Sequence, residues 1–250
     1  MTMLDRWTLS EFASGHLSYP TYRRGTGPCV VVISEIPGIT PSVTGFADRV
    51  VAAGMTVVMP SLFGTPGREP SRSYLLRSAA SVCVAKEFEA FALGKTPAIA
   101  VWLRALAASL HGELGGPGVG AVGMCFTGGF ALAMMVEPHT IAPVLSQPSS
   151  PFAIRKAAGA DLNLSPADLA VVKARAAAGC EVLGLRYTGD KLVGTRFDTL
   201  RRELGDAFLA VELPSRKPSD HCVLTEQADE ATVARVIDFL SVKLGAVAPS

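Results

Sequence analysis

The stretch from Val119 to Phe130 constrains the fold more than any other, because a short apolar segment there leads through a glycine-bracketed cysteine into residues rich in alanine and methionine. This pattern predicts a strand, a tight turn and a helix, the arrangement on which a nucleophile is mounted. Cys125 at the turn is therefore the candidate reactive residue. Gly123 lets strand and helix pack closely, and the amide of Phe126 opens the helix and points toward a developing oxyanion. The alternative is a buried structural cysteine, since free cysteines are among the most buried residues.

The composition favours an ordered globular protein with a small-molecule partner. Hydrophobic residues make up 49% of the 250 residues and charged residues 18%, far from the composition of disordered chains. The 23 basic and 22 acidic residues give a net charge of +1 and form no long runs, which argues against nucleic acid or an anionic membrane as partner. No apolar run reaches about 18 residues and no signal peptide is evident, so we expect a cytoplasmic protein. The sequence leaves the oligomeric state open.

The cysteines predict free thiols rather than a structural framework. They are five in number and lack CxxC spacing, which argues against both a disulfide framework and a zinc site. Their positions are Cys29, Cys83, Cys125, Cys180 and Cys222. We therefore expect no metal and no cofactor.

Strands alternate with helices along most of the chain. The β-branched run Cys29–Ile33 predicts a strand buried on both faces. Thr40 and Pro41 are an N-cap and a first-turn proline, and they begin an amphipathic helix that stops at Gly54. Further strands are predicted at Met55–Met59, Ile141–Leu145, Val182–Tyr187 and Phe208–Leu213, in addition to the short apolar strand that runs from Val119 into Cys125. This alternation predicts an α/β fold with a doubly wound, mostly parallel sheet covered by helices on both faces.

We expect one domain over residues 1–250, with two segments outside the regular alternation. Residues 1–27 carry alternating and turn-forming stretches that predict edge strands. Residues 60–97 form a lid-like excursion, which is rich in proline and glycine in its first part and long enough to cover a site. Arg68, Arg72 and Arg77 in this excursion are candidates for binding a substrate carboxylate, although arginines on a solvated surface are the more common explanation.

Four reactive side chains follow predicted strands, and the carboxyl ends of parallel strands meet at one edge of the sheet. They are Glu35, Cys125, Asp190 and His221. The chain order of nucleophile, acid and histidine is that of a hydrolase triad, in which the imidazole takes the proton of the nucleophile and the carboxylate fixes the tautomer. Taken one at a time, Asp190 is equally explained as turn chemistry and His221 as a loop histidine.

The same segments resemble the dienelactone hydrolase family, whose members are cysteine-dependent enzymes of the α/β-hydrolase fold. The resemblance extends over roughly residues 28–245 and rests on four segments: Glu35-Ile-Pro-Gly38, Gly123-Met-Cys125-Phe, Gly189-Asp190 and Asp220-His221. It implies a triad of Cys125, Asp190 and His221, with Glu35 as a carboxylate that swings against the thiol. It also implies an oxyanion hole from the amides of Ile36 and Phe126, and hydrolysis of an enol-lactone or a related activated ester.

The chain departs from this family at two places. Thr127 occupies the position where the family begins its double glycine, and we expect a β-branched side chain there to crowd the strand. The family also places an arginine shortly after the catalytic histidine, whereas the segment Cys222–Glu226 contains none. The substrate carboxylate would then need another clamp, from Arg77, Arg72 or Arg68.

The chemistry of sulfur favours some esters over others. A cysteine thiol is mostly protonated at neutral pH and needs an adjacent base, after which the thiolate attacks activated carbonyls well. Thiolate is also a good leaving group, so the reaction succeeds best where the alcohol leaves easily, as an enolate does.

Two other classes of function remain as alternatives. A ligand-binding protein without turnover is favoured by Thr127 at the elbow. A thiol redox protein needs a second cysteine near Cys125, and Cys222 beside His221 is the plausible one.

Overall fold

The computed structural model describes residues 3–88, 93–149 and 156–247, without the side chains of residues 83, 84, 156 and 157. Within these residues, the strands form one eight-stranded sheet in the order β1-β2-β4-β3-β5-β6-β7-β8. The strands are β1 (Thr8–Ser14), β2 (Leu17–Arg24), β3 (Cys29–Ile33), β4 (Thr56–Pro60), β5 (Val119–Met124), β6 (Thr140–Ser146), β7 (Val182–Tyr187) and β8 (Phe208–Leu213). The helices are α1 (Pro41–Ala52), α2 (Arg72–Val84), α3 (Ala98–Leu114), α4 (Gly128–Met134), α5 (Lys156–Ala160), α6 (Pro166–Ala177), α7 (Arg196–Leu204) and α8 (Glu230–Leu244).

The sheet is parallel except at one edge. β1 pairs antiparallel with β2, and β2 pairs antiparallel with β4, whereas the remaining pairs are parallel. The register places Ile33 opposite Gly123, and Met124 opposite Ser146. The residues that follow β3, β5 and β6 therefore emerge side by side at the carboxyl edge. The α/β class and the mostly parallel sheet predicted from the sequence are confirmed.

The alternating faces of β3 explain the two-sided core. Val30 and Val32 pack with residues of α1 and α8, whereas Val31 and Ile33 pack with residues of α3 and α4. All of these strand residues are fully buried. A parallel strand covered on both faces needs an unbroken apolar sequence, and this is the sequence found here.

Local hydrogen bonds mark the helix starts. Thr40 caps α1 by accepting a hydrogen bond from the amide of Val43 at 3.3 Å, and Pro41 occupies the first turn. Ser165 caps α6 in the same way, accepting from the amide of Asp168 at 3.1 Å. Such caps satisfy amides that the first turn of a helix leaves free.

The predicted excursion at residues 60–97 contains α2 and a short 3-10 segment, Lys86–Phe88. Residues 89–92 of this prediction lie outside the described residues. Tyr74 and Val82 of α2 are buried, whereas Leu75 and Leu76 are 39% and 74% exposed. The helix therefore presents apolar side chains away from the core, toward the carboxyl edge of the sheet.

The longest helix in the described residues, α3, has 17 residues, and none of the helices there combines the length and apolar character needed to cross a membrane.

Candidate active site

Cys125 lies at a strained turn between β5 and α4. Its backbone φ is 55°, in the left-handed region that non-glycine residues rarely adopt, at a cost of about 1–3 kcal/mol. A side chain at Gly123 would place its Cβ 2.2 Å from the carbonyl oxygen of Thr127, and one at Gly128 would place its Cβ 2.8 Å from Pro148. Both glycines are thus required by the close approach of neighbouring backbone. This geometry holds the Cys125 side chain outward at the edge of the sheet.

Thr127 does not crowd the strand, so this expectation from the sequence was wrong. The side chain is fully buried, and its hydroxyl accepts a hydrogen bond from the amide of Met124 at 2.9 Å. The same hydroxyl lies 2.9 Å from the carbonyl oxygen of Ile33, to which it donates. A threonine is accommodated because its hydroxyl links the elbow to β3.

Asp190 and His221 form a close pair. Oδ2 of Asp190 lies 2.6 Å from Nδ1 of His221, and both side chains are largely buried, at 4% and 16% exposure. The second carboxylate oxygen, Oδ1, accepts from the amide of Leu192 at 3.0 Å. Asp190 is therefore fixed by its own turn after β7 and in turn fixes the tautomer of the imidazole.

Two polar side chains shape the loop that carries His221. Asp220 accepts hydrogen bonds from the amides of Arg216 and Lys217 at 2.7 and 2.9 Å. The side-chain oxygen of Gln227 accepts from the amides of His221 and Cys222 at 3.4 and 3.0 Å. These bonds satisfy the backbone of an irregular loop, which positions the imidazole.

The free nitrogen of the imidazole is available for proton transfer. Nε2 of His221 is buried and makes no well-formed hydrogen bond within the described residues. Burial opposes a charge on this ring, but the negative charge of the Cys125 sulfur and the hydrogen bond to Asp190 outweigh it and raise the pKa of His221 to about 11. The site therefore favours the protonated form of the His221 ring.

Glu35 is buried at the carboxyl edge of the sheet, and no hydrogen bond joins it to Cys125 within the described residues. Its Oε2 accepts from Nε2 of Gln147 at 3.0 Å, and its Oε1 accepts from the hydroxyl of Thr225. Burial raises the pKa of Glu35, although hydrogen bonds from Thr225 and Cys222 offset part of the effect. The carboxyl group is thus held among polar side chains just after the end of the apolar strand β3.

Ser149 and Gln147 belong to the site but were not predicted from the sequence. The Oγ of Ser149 lies 3.0 Å from the Sγ of Cys125, and the amide of Ser149 donates to the carbonyl of Cys125 at 3.0 Å. Gln147 is fully buried and has a φ of 35°. The signal was available, because the polar residues Gln147 and Ser149 directly follow the apolar strand β6.

Cys222 is a second thiol in the site. Burial and the facing Glu35 carboxylate raise the pKa of Cys222, so the thiol stays protonated at neutral pH. Cys29, Cys125, Cys180 and Cys222 are all free, as the sequence predicted, and the side chain of Cys83 lies outside the described residues. One ligand atom from each of Glu35, His221 and Cys222 lies within 4.8 Å of the others, which is a possible metal-binding arrangement.

A cavity of about 650 Å³ opens onto Cys125 and His221. Most of its wall is apolar and includes side chains of α2, namely Leu75, Leu76, Ala79 and Ala80. The wall also includes Ile36, Pro37 and Leu192. The lid-like excursion thus contributes the apolar side of the cavity.

The arginines expected to clamp a substrate carboxylate do not lie in this cavity. Arg72 and Arg77 are exposed, and Arg77 lines a small separate depression with Arg68 and Tyr74. Arg68 stacks on the ring of Tyr74 at 4.4 Å instead. Among the described residues that line the cavity, none is a lysine or an arginine. The helical turn of α2 places Arg77 on a different side from Leu75, Leu76, Ala79 and Ala80, which line the cavity.

The two residues expected to supply an oxyanion hole flank the nucleophile. Ile36 follows Glu35 after β3 and lines the cavity, whereas Phe126 directly follows Cys125. The side chain of Phe126 is buried and packs edge-on against Phe130 at 5.1 Å. The backbone of Phe126 is thereby anchored beside the sulfur.

Comparison with known proteins agrees with this architecture. A model of the dienelactone hydrolase family matches residues 15–151. A dienelactone hydrolase from Anabaena variabilis is similar over 95% of this chain and 98% of its own, at 14% identity and a TM-score of 0.65. A cold-adapted esterase from an Arctic intertidal metagenomic library is similar over 94% of this chain and 92% of its own, at 15% identity and a TM-score of 0.60. At these identities the two structures establish the fold. None of the curated proteins compared matches the chain significantly.

Proposed function

The chain belongs to the dienelactone hydrolase family and is a carboxylic ester hydrolase, and from this premise we propose that Cys125 is its nucleophile and that catalysis passes through a thioester acyl-enzyme. Asp190 and His221 complete the triad. The observation that carries the proposal is the convergence of a cysteine at φ 55° with a histidine whose Nδ1 is held 2.6 Å from a buried aspartate.

The first half of the reaction is acylation. Nε2 of His221 takes the proton of Cys125, and the thiolate attacks the ester carbonyl. The oxyanion that forms is stabilised by the amides of Ile36 and Phe126. Collapse of the intermediate breaks the carbon–oxygen bond, and the imidazolium returns its proton to the departing alcohol oxygen.

The second half releases the acid. A water molecule loses its proton to Nε2 of His221 and attacks the thioester carbonyl. The sulfur of Cys125 then leaves as thiolate, which is re-paired with the imidazolium. Asp190 keeps Nδ1 protonated throughout, so the same nitrogen of His221 exchanges the proton in each half.

Ser149 and Glu35 have supporting roles in this scheme. The Ser149 hydroxyl, 3.0 Å from the sulfur, is placed to donate a hydrogen bond to the thiolate. The resemblance to the family implies that Glu35 is a carboxylate that swings toward the thiol of Cys125. Its hydrogen bonds to Gln147 and Thr225 define the position from which it would move.

The preferred substrate is an ester or lactone with a good leaving group, such as an enolate, and with an uncharged acyl part. A sulfur anion is expelled more readily than an alkoxide, so simple alkyl esters react poorly. The apolar wall of the cavity offers no lysine or arginine to a carboxylate within the described residues, and Glu35 and Glu226 on the same wall repel one.

The proposal is tested by comparing esters that differ only in leaving group or acyl charge. We expect aryl and enol esters of pentanoate to be hydrolysed well, and the same esters of glutarate, which carry a free carboxylate, to have a kcat/KM at least about tenfold lower, the effect of roughly 1.4 kcal/mol of unfavourable interaction. Cys125→Ala should abolish turnover, whereas Cys180→Ala, at a cysteine outside the cavity, should not change it. A preference for glutarate esters would contradict the substrate class, and a fully active Cys125→Ala enzyme would contradict the nucleophile.

A further inference from the structure

We propose that Glu35, His221 and Cys222 bind a zinc ion, and that the bound ion reversibly blocks the hydrolase. Within the described part of the chain, these residues form the one cluster in which at least three histidine, cysteine or acidic side chains converge. One ligand atom from each lies within 4.8 Å of the other two. All three residues line the cavity, so an ion from solvent reaches them without rearrangement of the fold.

The donor atoms suit zinc. Sulfur, imidazole nitrogen and carboxylate oxygen are the usual zinc ligands, at roughly 2.3, 2.0 and 2.1 Å. Three such ligands in a tetrahedral arrangement are about 3.5 Å apart, so the atoms must approach one another by about 1 Å. Movements of this size are within the range of side-chain rotations. A water molecule from the cavity would supply the fourth ligand.

Nε2 is the imidazole nitrogen of His221 that remains for zinc. Nδ1 of His221 is occupied by Asp190, whereas Nε2 is buried and makes no well-formed hydrogen bond to a described residue. Many zinc-bound histidines donate a hydrogen bond from their other ring nitrogen to a carboxylate. This hydrogen bond fixes the orientation of the ring and makes the histidine a stronger ligand.

The carboxylate ligand is supported in the same way. Gln147 and Thr225 each donate a hydrogen bond to one oxygen of Glu35. These bonds hold the carboxylate beside Cys222 and leave each oxygen a second lone pair. Hydrogen bonds behind the ligands are a regular feature of metal sites. The thiol proton of Cys222 passes to solvent as the sulfur–zinc bond forms.

Zinc and catalysis compete for one atom. Nε2 of His221 is the base that takes the proton of Cys125 in the proposed reaction, and a metal bound there prevents proton transfer. Cys222, by contrast, has no role in that reaction. The blocking of turnover rests on the proposed function, whereas the metal site itself is defined by its three side chains whether or not Cys125 is a nucleophile.

The test measures metal binding in Cys125→Ala protein, which removes both turnover and the neighbouring thiol. Cobalt(II) replaces zinc as a visible probe, since a thiolate ligand gives a sulfur-to-cobalt charge-transfer band in the near ultraviolet. We expect a saturable band with one cobalt per chain that one equivalent of zinc removes. Adding Cys222→Ser should abolish the band, and adding Glu35→Gln should weaken affinity at least about tenfold, the lower bound seen for residues that only support ligands. Cys180→Ala is the matched control and should change nothing.

The result that overturns the proposal is equally direct. A band that persists in Cys222→Ser, that disappears in Cys180→Ala, or that never saturates would show that the cluster is not the site. Circular dichroism and thermal melting establish that each variant is folded. Because binding is measured without the nucleophile, failure of the zinc site and failure of the cysteine hydrolase mechanism are distinguishable: the first changes the cobalt spectrum, and the second changes ester turnover of the Cys125→Ala enzyme.

Discussion

At the scale of single residues, the pairing of Asp190 with His221 determines which nitrogen of the ring carries a proton. The aspartate is 4% exposed and receives a second hydrogen bond from its own turn, so it cannot easily take another position. Its charge supports the imidazolium, whose pKa is raised to about 11 when the Cys125 sulfur is ionised. An aspartate that served only to form a turn would not need to be buried or to pair with a histidine.

Asp190→Asn should leave the protein folded and reduce kcat by about 10⁴, the loss seen when a triad aspartate is replaced in this way. The amide accepts poorly from Nδ1–H and stabilises the wrong tautomer. Asp198→Asn is the matched control, since Asp198 is 68% exposed and its contact with Arg201 is long, at 3.6 Å. Steady-state kinetics on an aryl ester are the measurement. A kcat for Asp190→Asn within a few-fold of that of Asp198→Asn would assign Asp190 to the turn alone.

Residues of the site differ in how far the sequence predicts them. Cys125, Asp190 and His221 follow apolar strands and have recognisable chemistry, so their convergence follows from topology. Gln147 could not be predicted, because its hydrogen bond to Glu35 joins residues 112 positions apart and a glutamine after a strand has no pattern of its own. The fit of Thr127 does not follow from its volume, because the hydrogen bonds of its hydroxyl decide how it is accommodated.

At the scale of elements, Thr127 connects the elbow to the neighbouring strand. One hydroxyl serves the amide of Met124 and the carbonyl of Ile33, both at 2.9 Å. Replacement by valine keeps the shape and leaves the buried amide without its acceptor. The Thr127 hydroxyl thus adds a link between the elbow and the end of β3, beside the backbone pairing of β3 with β5.

Thr127→Val should destabilise the protein by about 2 kcal/mol, since a buried backbone group loses its partner. Thr140→Val supplies an unusually close comparison. Thr140 is also fully buried, but its hydroxyl has no hydrogen-bond partner among the described residues, so valine there should be neutral or slightly stabilising. Urea unfolding of both variants gives the two free energies. Equal losses of unfolding free energy in the two variants would show that the Thr127 hydroxyl does not stabilise the protein.

The ion pair between Asp168 and Arg104 joins α6 to α3 and makes stability depend on pH. Oδ2 of Asp168 lies 2.8 Å from the guanidinium, at side-chain exposures of 19% and 10%. Burial opposes the ionised form, but hydrogen bonds from Arg104 and Thr96 and the charge of Arg104 outweigh it and lower the pKa of Asp168 below its ordinary 3.8. A lowered pKa means that the stabilisation is present above the ordinary value and is lost as the pH falls through the folded value.

Asp168→Asn should therefore cost about 2 kcal/mol at pH 7, the scale of a charged hydrogen bond, and the difference from the wild type should shrink as the pH falls below 3.8. Denaturant unfolding at a series of pH values provides the check. A difference that is constant over the whole series would mean that the carboxylate's charge contributes nothing.

Elements were easier to predict than contacts. The bounds of β3, β7 and β8 coincide with the predicted strands, because apolar β-branched runs and caps such as Thr40 are local signals. Helix α2 was not predicted within the excursion. Its leucines face the cavity rather than the core, and it follows a stretch rich in proline and glycine, so the usual signs of a buried helical face are missing.

At the scale of the whole molecule, the sheet brings the ends of β3, β5, β6, β7 and β8 to one edge, and α2 covers that edge with apolar side chains. The polar groups of the site come from loops after five different strands. The cavity they share is mostly apolar and faces a single cysteine at the elbow. The site thus combines a few fixed polar groups with a mostly apolar wall, which is typical of sites that bind small organic ligands.

The proposed mechanism requires that an acyl group resides on Cys125 during turnover. The most direct measurement is the mass of the intact enzyme after rapid acid quenching with an aryl ester in excess, followed by peptide mapping. We predict an added mass equal to that of the acyl group, located on the peptide that contains Cys125, labile to hydroxylamine and absent from Cys125→Ala. Turnover with no acyl adduct on Cys125 at any quench time, or an adduct on a different residue, would contradict the account.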